Sequence, residues 1–297
     1  MDENSVYSSI VLLGFFLFIL SATAVESQRQ LLISALYIFG DSSIDPGNNN
    51  CLGTIVKANF PPYGRDFPNG RATGRFTNGR LVTDIISELA GLPDLLPASL
   101  DPEFQGDKLL TGASFGSSGS GYADSTSNNF NVIPLEKQVN NFRIYKTQLS
   151  NMVGQKNATD IVSEALFCIS TGTDDFALNY YSNPSTRMKY SVHQFEDMLL
   201  QSLSRFIQNV NSEGGTRLAV IGLPPFGCLP LQITLYNLIG NKCVEEFNEN
   251  ARSLNTKIKA LIEKKKLTYP GLRIAYIDIY NKLANIVKFP SKYGFEE

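Results

Sequence analysis

Gly40-Asp41-Ser42 stands directly after a short apolar run, residues 35–39 (ALYIF). A serine placed just past a buried strand carries its hydroxyl to the rim of a sheet. Its own N–H then opens a turn or helix, where negative charge is stabilised. That arrangement suits a nucleophilic hydroxyl placed beside developing negative charge. Gly-Asp-Ser by itself reads equally well as a polar turn with a serine cap. Here it continues through Asp45-Pro46-Gly47-Asn48-Asn49-Asn50, a pattern much longer than chance supplies.

A serine hydroxyl keeps its proton at neutral pH and needs a base beside it. The sequence holds one histidine, His193. It stands between Val192 and Gln194, near the start of a helical stretch, with Tyr190 three residues before it. This context predicts a partly exposed helix residue, not a catalytic base.

Other chemistries do not fit. A calcium loop starting at Asp41 would need Gly at its sixth place and Glu at its twelfth, which hold Pro46 and Leu52. The phosphate-binding P-loop and the dinucleotide Gly-x-Gly-x-x-Gly are absent. With one histidine and no Cys-x-x-Cys, no metal site is expected. No cofactor is implied, and a flavin module is disfavoured because no phosphate-cradling loop follows the first strand.

The elements that must position Ser42 read as strands alternating with helices. Apolar runs at 35–39, 165–170, 217–222 and 273–277 each stop at Gly, Pro or Asp. Unbroken apolar runs without alternation indicate strands buried on both faces, as in parallel sheets. A fifth strand is expected near 108–111. Helical spacing covers 80–90 (Leu81, Ile85, Ile86, Leu89), 191–210 and 244–262. This order predicts an open parallel α/β sheet with ligands beyond the carboxyl ends of its strands. The residues that matter are then 40–42, 171–175, 223–227 and Asp278.

The 297 residues are 43% hydrophobic and 18% charged, with a formal net charge of -2. A sizeable core can be buried, and the basic footprint of a nucleic-acid binder is missing. Residues 10–20 are an apolar run of signal-peptide length, followed by Ala22-Thr23-Ala24. Residues 1–24 are therefore expected to be a signal peptide, although Asp2 and Glu3 replace the usual basic start. A secreted, extracellular protein without an integral membrane segment follows. In that compartment four cysteines can pair. Cys228 and Cys243 bracket one loop and are the preferred disulfide, whereas Cys168 lies inside an apolar strand. Asn157-Ala158-Thr159 is a glycosylation sequon.

Phe39-Gly40-Asp41-Ser42 with Asp45-x-Gly47-Asn48-Asn49-Asn50 resembles the first block of the plant GDSL esterase/lipases, in the SGNH hydrolase superfamily. The similarity continues through Phe60-Pro61-Pro62-Tyr63-Gly64, Gly74-Arg75-Phe76-Thr77-Asn78-Gly79-Arg80 and Leu223-Pro224-Pro225-x-Gly227-Cys228. It covers the chain from about Ala35 onward, as one hydrolase domain over 35–297. The resemblance implies a flavodoxin-like α/β/α sandwich with a mostly parallel five-stranded sheet. It also implies hydrolysis of lipid-like or other acyl esters, with Ser42 as nucleophile. Within the glycine-rich segment 112–121, Gly119 best matches the residue whose N–H enters the oxyanion hole.

Two departures are expected to matter. The family's third block is Gly-x-Asn-Asp, and Asn donates a further hydrogen bond to the oxyanion. Here it reads Gly172-Thr173-Asp174-Asp175, and an ionised aspartate has no donor. The family's fourth block, Asp-x-x-His, is not found before Glu297, so catalytic His and Asp are assigned to no residue. The last helix of the fold is then expected to be missing, which would leave apolar strand surface facing water. The resulting expectation is an ester hydrolase that is inactive or strongly impaired in this chain. The alternative is a non-catalytic acyl- or carbohydrate-binding pseudoenzyme. A small-molecule ester or lipid is the partner in the first case.

Overall fold

A computed structural model describes residues 33–296 except 238 and 241. The expected signal peptide lies outside the described residues. Five strands build the centre: β1 (Leu36–Gly40), β2 (Gly112–Ser114), β3 (Leu166–Ser170), β4 (Arg217–Ile221) and β5 (Arg273–Ile277). Their order is β2-β1-β3-β4-β5 and every pairing is parallel. The helices are α1 (Val82–Leu89), α2 (Asp124–Asn128), α3 (Leu135–Val153), α4 (Gln155–Glu164) and α5 (Pro184–Lys189). They continue with α6 (Val192–Ser212), α7 (Pro230–Tyr236), α8 (Glu245–Thr268) and α9 (Tyr280–Lys288). Among the described residues no helix is long and apolar enough to cross a membrane.

The fifth strand lies just past the expected place. Residues Gly106–Thr111 form a tight 3-10 turn, and the strand is Gly112–Ser114. Gly-Ala-Ser carries almost no strand propensity of its own. It is a strand because Leu36, Tyr37 and Ile38 of β1 pair with it.

The two faces of the sheet are covered unequally. One packs Tyr37, Phe39, Phe167, Leu218, Val220 and Ile274 against the apolar stripes of α3, α6 and α8. Aromatic rings dominate this layer. Phe142 meets Tyr37 edge-on at 5.0 Å, and Phe39 meets Phe206 at 5.1 Å. The Tyr37 and Tyr145 hydroxyls stand 3.0 Å apart, and Tyr145 donates onward to the Leu109 carbonyl, so neither polar end is stranded.

The second face is thinner. Leu36, Ile38 and Cys168 pack beneath Ile44, Leu92 and Leu96. Towards β4 and β5 the cover ends: Ala219 and Ile221 are half-buried, and Ala275 and Ile277 are exposed.

Helix α1 turns only part of its helically spaced apolar residues inward. Leu81 is buried and Ile86 packs against the cover of β1, but Ile85 and Leu89, together with Val82, are exposed while Thr83, Asp84 and Ser87 are buried. The cause is electrostatic. Arg75, itself 7% exposed, grips Asp84 with two parallel hydrogen bonds of 2.9 and 3.0 Å. Asp84 also accepts from the N–H groups of Leu81 and Leu96. A fully buried carboxylate must keep these donors, because leaving it unpaired costs more than exposing three aliphatic side chains. The helix therefore turns its acid inward. Arg75 also donates to the Leu96 carbonyl, so the pair fastens α1 and the 92–96 segment that covers β1. Replacing Arg75 by Met should leave Asp84 buried and alone and destabilise the protein by about 3–5 kcal/mol. Urea unfolding of the two proteins measures this.

Candidate active site

Strand β1 ends in Gly40, whose φ of 137° lies outside the range that side chains tolerate. A methyl group there would sit 1.8 Å from the Ser170 carbonyl oxygen of β3. The close approach brings the ends of β1 and β3 together. Gly40 is then held from several sides. Its N–H donates to Gln138 Oε1 at 2.8 Å, and its carbonyl accepts from Ser117 N–H, Ser120 Oγ and Gln138 Nε2. Gln138 comes from α3 and is completely buried.

Two residues further on, Ser42 begins a 3-10 turn, Ser42–Ile44, capped by the Asp41 side chain. Ser42 is half-buried at the rim, and among the described residues its hydroxyl makes no hydrogen bond. The neighbouring Ser43 is tied down: its N–H and hydroxyl donate to Asp41, and its hydroxyl meets that of Ser170.

The polar run after Ser42 is scaffolding. Asp45 accepts from the N–H groups of Gly47, Asn48 and Ser118. Asn48 Nδ2 donates to the carbonyls of Ser114 and Gly116, and Asn49 holds Ser118 and Ser117. These bonds stitch the loop after β1 to the glycine-rich loop after β2. Gly119 sits in that second loop with φ of 83°.

The third loop arrives after β3. Asp175 is buried and accepts from Tyr122 N–H, Ala123 N–H and Thr126 Oγ1. Asp174 belongs to a half-buried residue, but its Oδ2 atom is enclosed and has no hydrogen-bond partner. Burial raises its pKa well above the ordinary value, and the charges of Asp41 and Asp175 raise it further; the Gly119 N–H, hydrogen-bonding to it, works the other way. Burial also pushes Asp41 and Asp45 up to about 6 and Asp175 up to about 7. Three carboxyls, Asp41, Asp174 and Asp175, thus crowd this rim. No Lys or Arg is ion-paired with them among the described residues. Like charges so placed cannot all ionise cheaply.

Sequence-predicted residues divide accordingly. Ser42, Gly119 and Asp174 all lie on loops at the carboxyl ends of β1, β2 and β3. His193 does not join them. It stands in the first turn of α6 with its side chain 80% exposed, and its Nδ1 lies 3.3 Å from Glu196 Oε2. No hydrogen bond links it to Ser42. Asp278 follows β5 and is bonded to Asn281, which with Lys259 holds its carboxyl below the usual range. Cys228 and Cys243 are joined by a disulfide, and Cys168 is buried. Asn157 is exposed on α4, its Nδ2 donating to the Val153 carbonyl.

Gln138 was not foreseen. Its signal was present: it is a lone amide in the buried stripe of α3, among Leu135, Val139 and Phe142. A polar side chain there must satisfy something in the core. A cavity of about 780 Å³ lies beside the site, walled by Pro46, Asn50, Cys51, Leu95, Pro97 and Lys108. Ser42 is not in its lining.

Comparison with known proteins agrees with this geometry. The profile of the GDSL-like Lipase/Acylhydrolase family matches residues 36–297. The chain is 45% identical over 269 residues to the Arabidopsis thaliana protein "GDSL esterase/lipase At5g03810", covering 90% of this chain and 76% of that one. It is 40% identical over 277 residues to "GDSL esterase/lipase At5g45960", also from Arabidopsis thaliana, covering 92% and 74%. To "GDSL esterase/lipase APG" of the same plant it is 43% identical over 266 residues, covering 90% and 75%. With the parallel sheet and the Gly-Asp-Ser turn at the end of its first strand, the chain belongs to the GDSL lipase/acylhydrolase family.

Proposed function

We propose that the chain is built as a secreted carboxylic ester hydrolase with Ser42 as nucleophile, and that its 297 residues alone leave that serine without a base. The observation that carries this is the free, rim-facing Ser42 hydroxyl on the rigidly clamped end of β1. In the reaction, Ser42 Oγ bonds to the ester carbonyl carbon and gives its proton to a base. The carbonyl oxygen becomes an oxyanion, facing the N–H groups of Ser42 and Gly119. The bond to the alcohol then breaks, the alcohol takes up a proton, and water later releases the acid from the acyl-serine. Lipid-like or other acyl esters are the substrate class.

Two features weaken the chemistry. Asp174 stands where the family pattern has the amide donor. When ionised it offers only acceptors, and it competes with the oxyanion for the Gly119 N–H. Loss of one oxyanion donor costs roughly 10² to 10³ in rate. The larger loss is the base, whose removal costs on the order of 10⁶ in turnover in serine proteases. His193 is turned to solvent and to Glu196. An imidazole would have to reach Ser42 from outside these residues.

The same two features favour a second reading, a cleft that holds an acyl or carbohydrate ligand without turning it over. Product formation separates the readings. The purified 297-residue chain should hydrolyse a short p-nitrophenyl ester no faster than its Ser42→Ala variant, and Asp174→Asn alone should not restore activity. A serine-dependent rate would refute the missing base.

The carboxyl cluster also predicts a pH dependence of stability. Asp41, Asp45 and Asp175 have native values near 6 to 7 against 3.8 when unfolded. Below about 3.8 both states are protonated and no penalty arises. As pH rises through 4 to 7, the unfolded chain ionises first, so stability falls. Thermal midpoints should drop from pH 5 to pH 7.5, and Asp174→Asn should make the drop shallower. Equal slopes in the two proteins would rule out a buried proton on Asp174.

Export supports the secreted reading through residues 1–24 and the exposed Asn157 sequon. Expressed in plant cells, the secreted protein should begin at Val25 and lose glycan mass on enzymatic deglycosylation, and Asn157→Gln should abolish that loss.

A further inference from the structure

Helix α7 is built inside out. A short surface helix normally turns its apolar side to the core and its polar side to water. Here Leu231, Leu235 and Tyr236 are 52%, 63% and 43% exposed, flanked by Leu229 at 37% and Ile239 at 103%. The inward residue is Gln232, 1% exposed, and neither its amide nitrogen nor its oxygen has a hydrogen-bond partner. In α1 an inward carboxylate explained a similar reversal, through Arg75 and two backbone N–H groups. No such partner explains α7. Its outward surface is therefore not arranged for water.

The segment's place adds to this. It follows β4, at the same end of the parallel sheet as Ser42, and the Cys228–Cys243 disulfide closes its loop. The Tyr236 ring anchors its end at 4.9 Å from Phe247 and 6.4 Å from Tyr181. The apolar residues thus project from a tethered base.

Charge around the patch points to one kind of partner. Arg187 reaches this edge through the Tyr181 carbonyl, Lys189 follows on the same helix α5, and the Lys242 carbonyl accepts from Asn237 at the end of α7. All three side chains are exposed, and none is ion-paired among the described residues. Met188, between the first two, is 87% exposed. Of the acids in the first turns of α8, Glu245 is engaged by Arg252, which leaves Glu246 and Glu249 against three cations. An apolar centre with a basic fringe matches an anionic lipid surface, where aliphatic side chains enter the acyl boundary and cations meet the headgroups.

We propose that α7 and its disulfide-closed loop form a docking surface for anionic lipid, setting the Ser42 rim of the sheet against a lipid–water interface. This goes beyond ester hydrolysis and does not depend on Ser42 being competent.

Co-sedimentation with phosphatidylglycerol vesicles tests it. The whole chain should bind them, with at least tenfold weaker binding to phosphatidylcholine vesicles. The double variant Leu231→Ser/Leu235→Ser should lose at least tenfold in affinity for phosphatidylglycerol while keeping its circular dichroism spectrum. Ile239→Asp, at a fully exposed position, should weaken binding in the same direction. Ser42→Ala should bind like the parent, so a failure of docking and a failure of the catalytic reading are told apart. Absence of binding, equal binding to both lipids, or unchanged binding by the folded double variant would overturn the proposal. So would sedimentation velocity showing a dimer that the double variant abolishes, since a second copy would then cover the patch.

Discussion

The site depends on how closely β1 and β3 approach at Gly40. No side chain fits between that residue and the Ser170 carbonyl. Its own N–H and C=O, freed from ordinary ladder geometry, are instead captured by Gln138, Ser117 and Ser120. A buried amide, one hydroxyl and one backbone N–H thereby fix the backbone two residues ahead of Ser42. A hydroxyl can be presented free at a sheet rim only if the chain carrying it cannot relax to satisfy it. The clamp at Gly40 supplies that rigidity.

Electrostatics around the clamp are expensive. Asp45 and Asp175 are buried acids, each satisfied by three donors: for Asp45 two from its own loop and one from the loop after β2, for Asp175 all three from the segment at 122–126. They act as struts, exchanging their own hydration for loop order. Asp174 is different, because its enclosed oxygen is unpartnered and it lies among like charges. An amide at that position would carry no charge and would offer a donor. Burial and the neighbouring acids both disfavour the charged form of the aspartate.

Much of this was legible in the order of residues. Apolar runs ending in Gly, Pro or Asp marked four strands, because a parallel strand buried on both faces has no polar alternation to hide it. The fifth was displaced, because Gly-Ala-Ser becomes a strand only by pairing with β1. The inward face of α1 could not be read from its aliphatic spacing. The partner that decides it, Arg75, lies nine residues away from Asp84 in sequence and meets it only in the fold. Gln138 was visible as an oddity in an apolar stripe, without its destination.

By itself the sequence determined the residue types available for chemistry: one serine after a strand, an aspartate in place of an amide, one histidine in a helical context. The serine and the histidine follow from local sequence, and the replaced amide from the resemblance to the family's third block; none of them needs a tertiary contact. The tertiary structure alone decided which of them share a rim, and which polar residues are struts. It also decided which helices turn their apolar side outward. Those outcomes rest on hydrogen bonds and charge pairs between segments far apart in the chain, whose energies exist only once the loops are brought together.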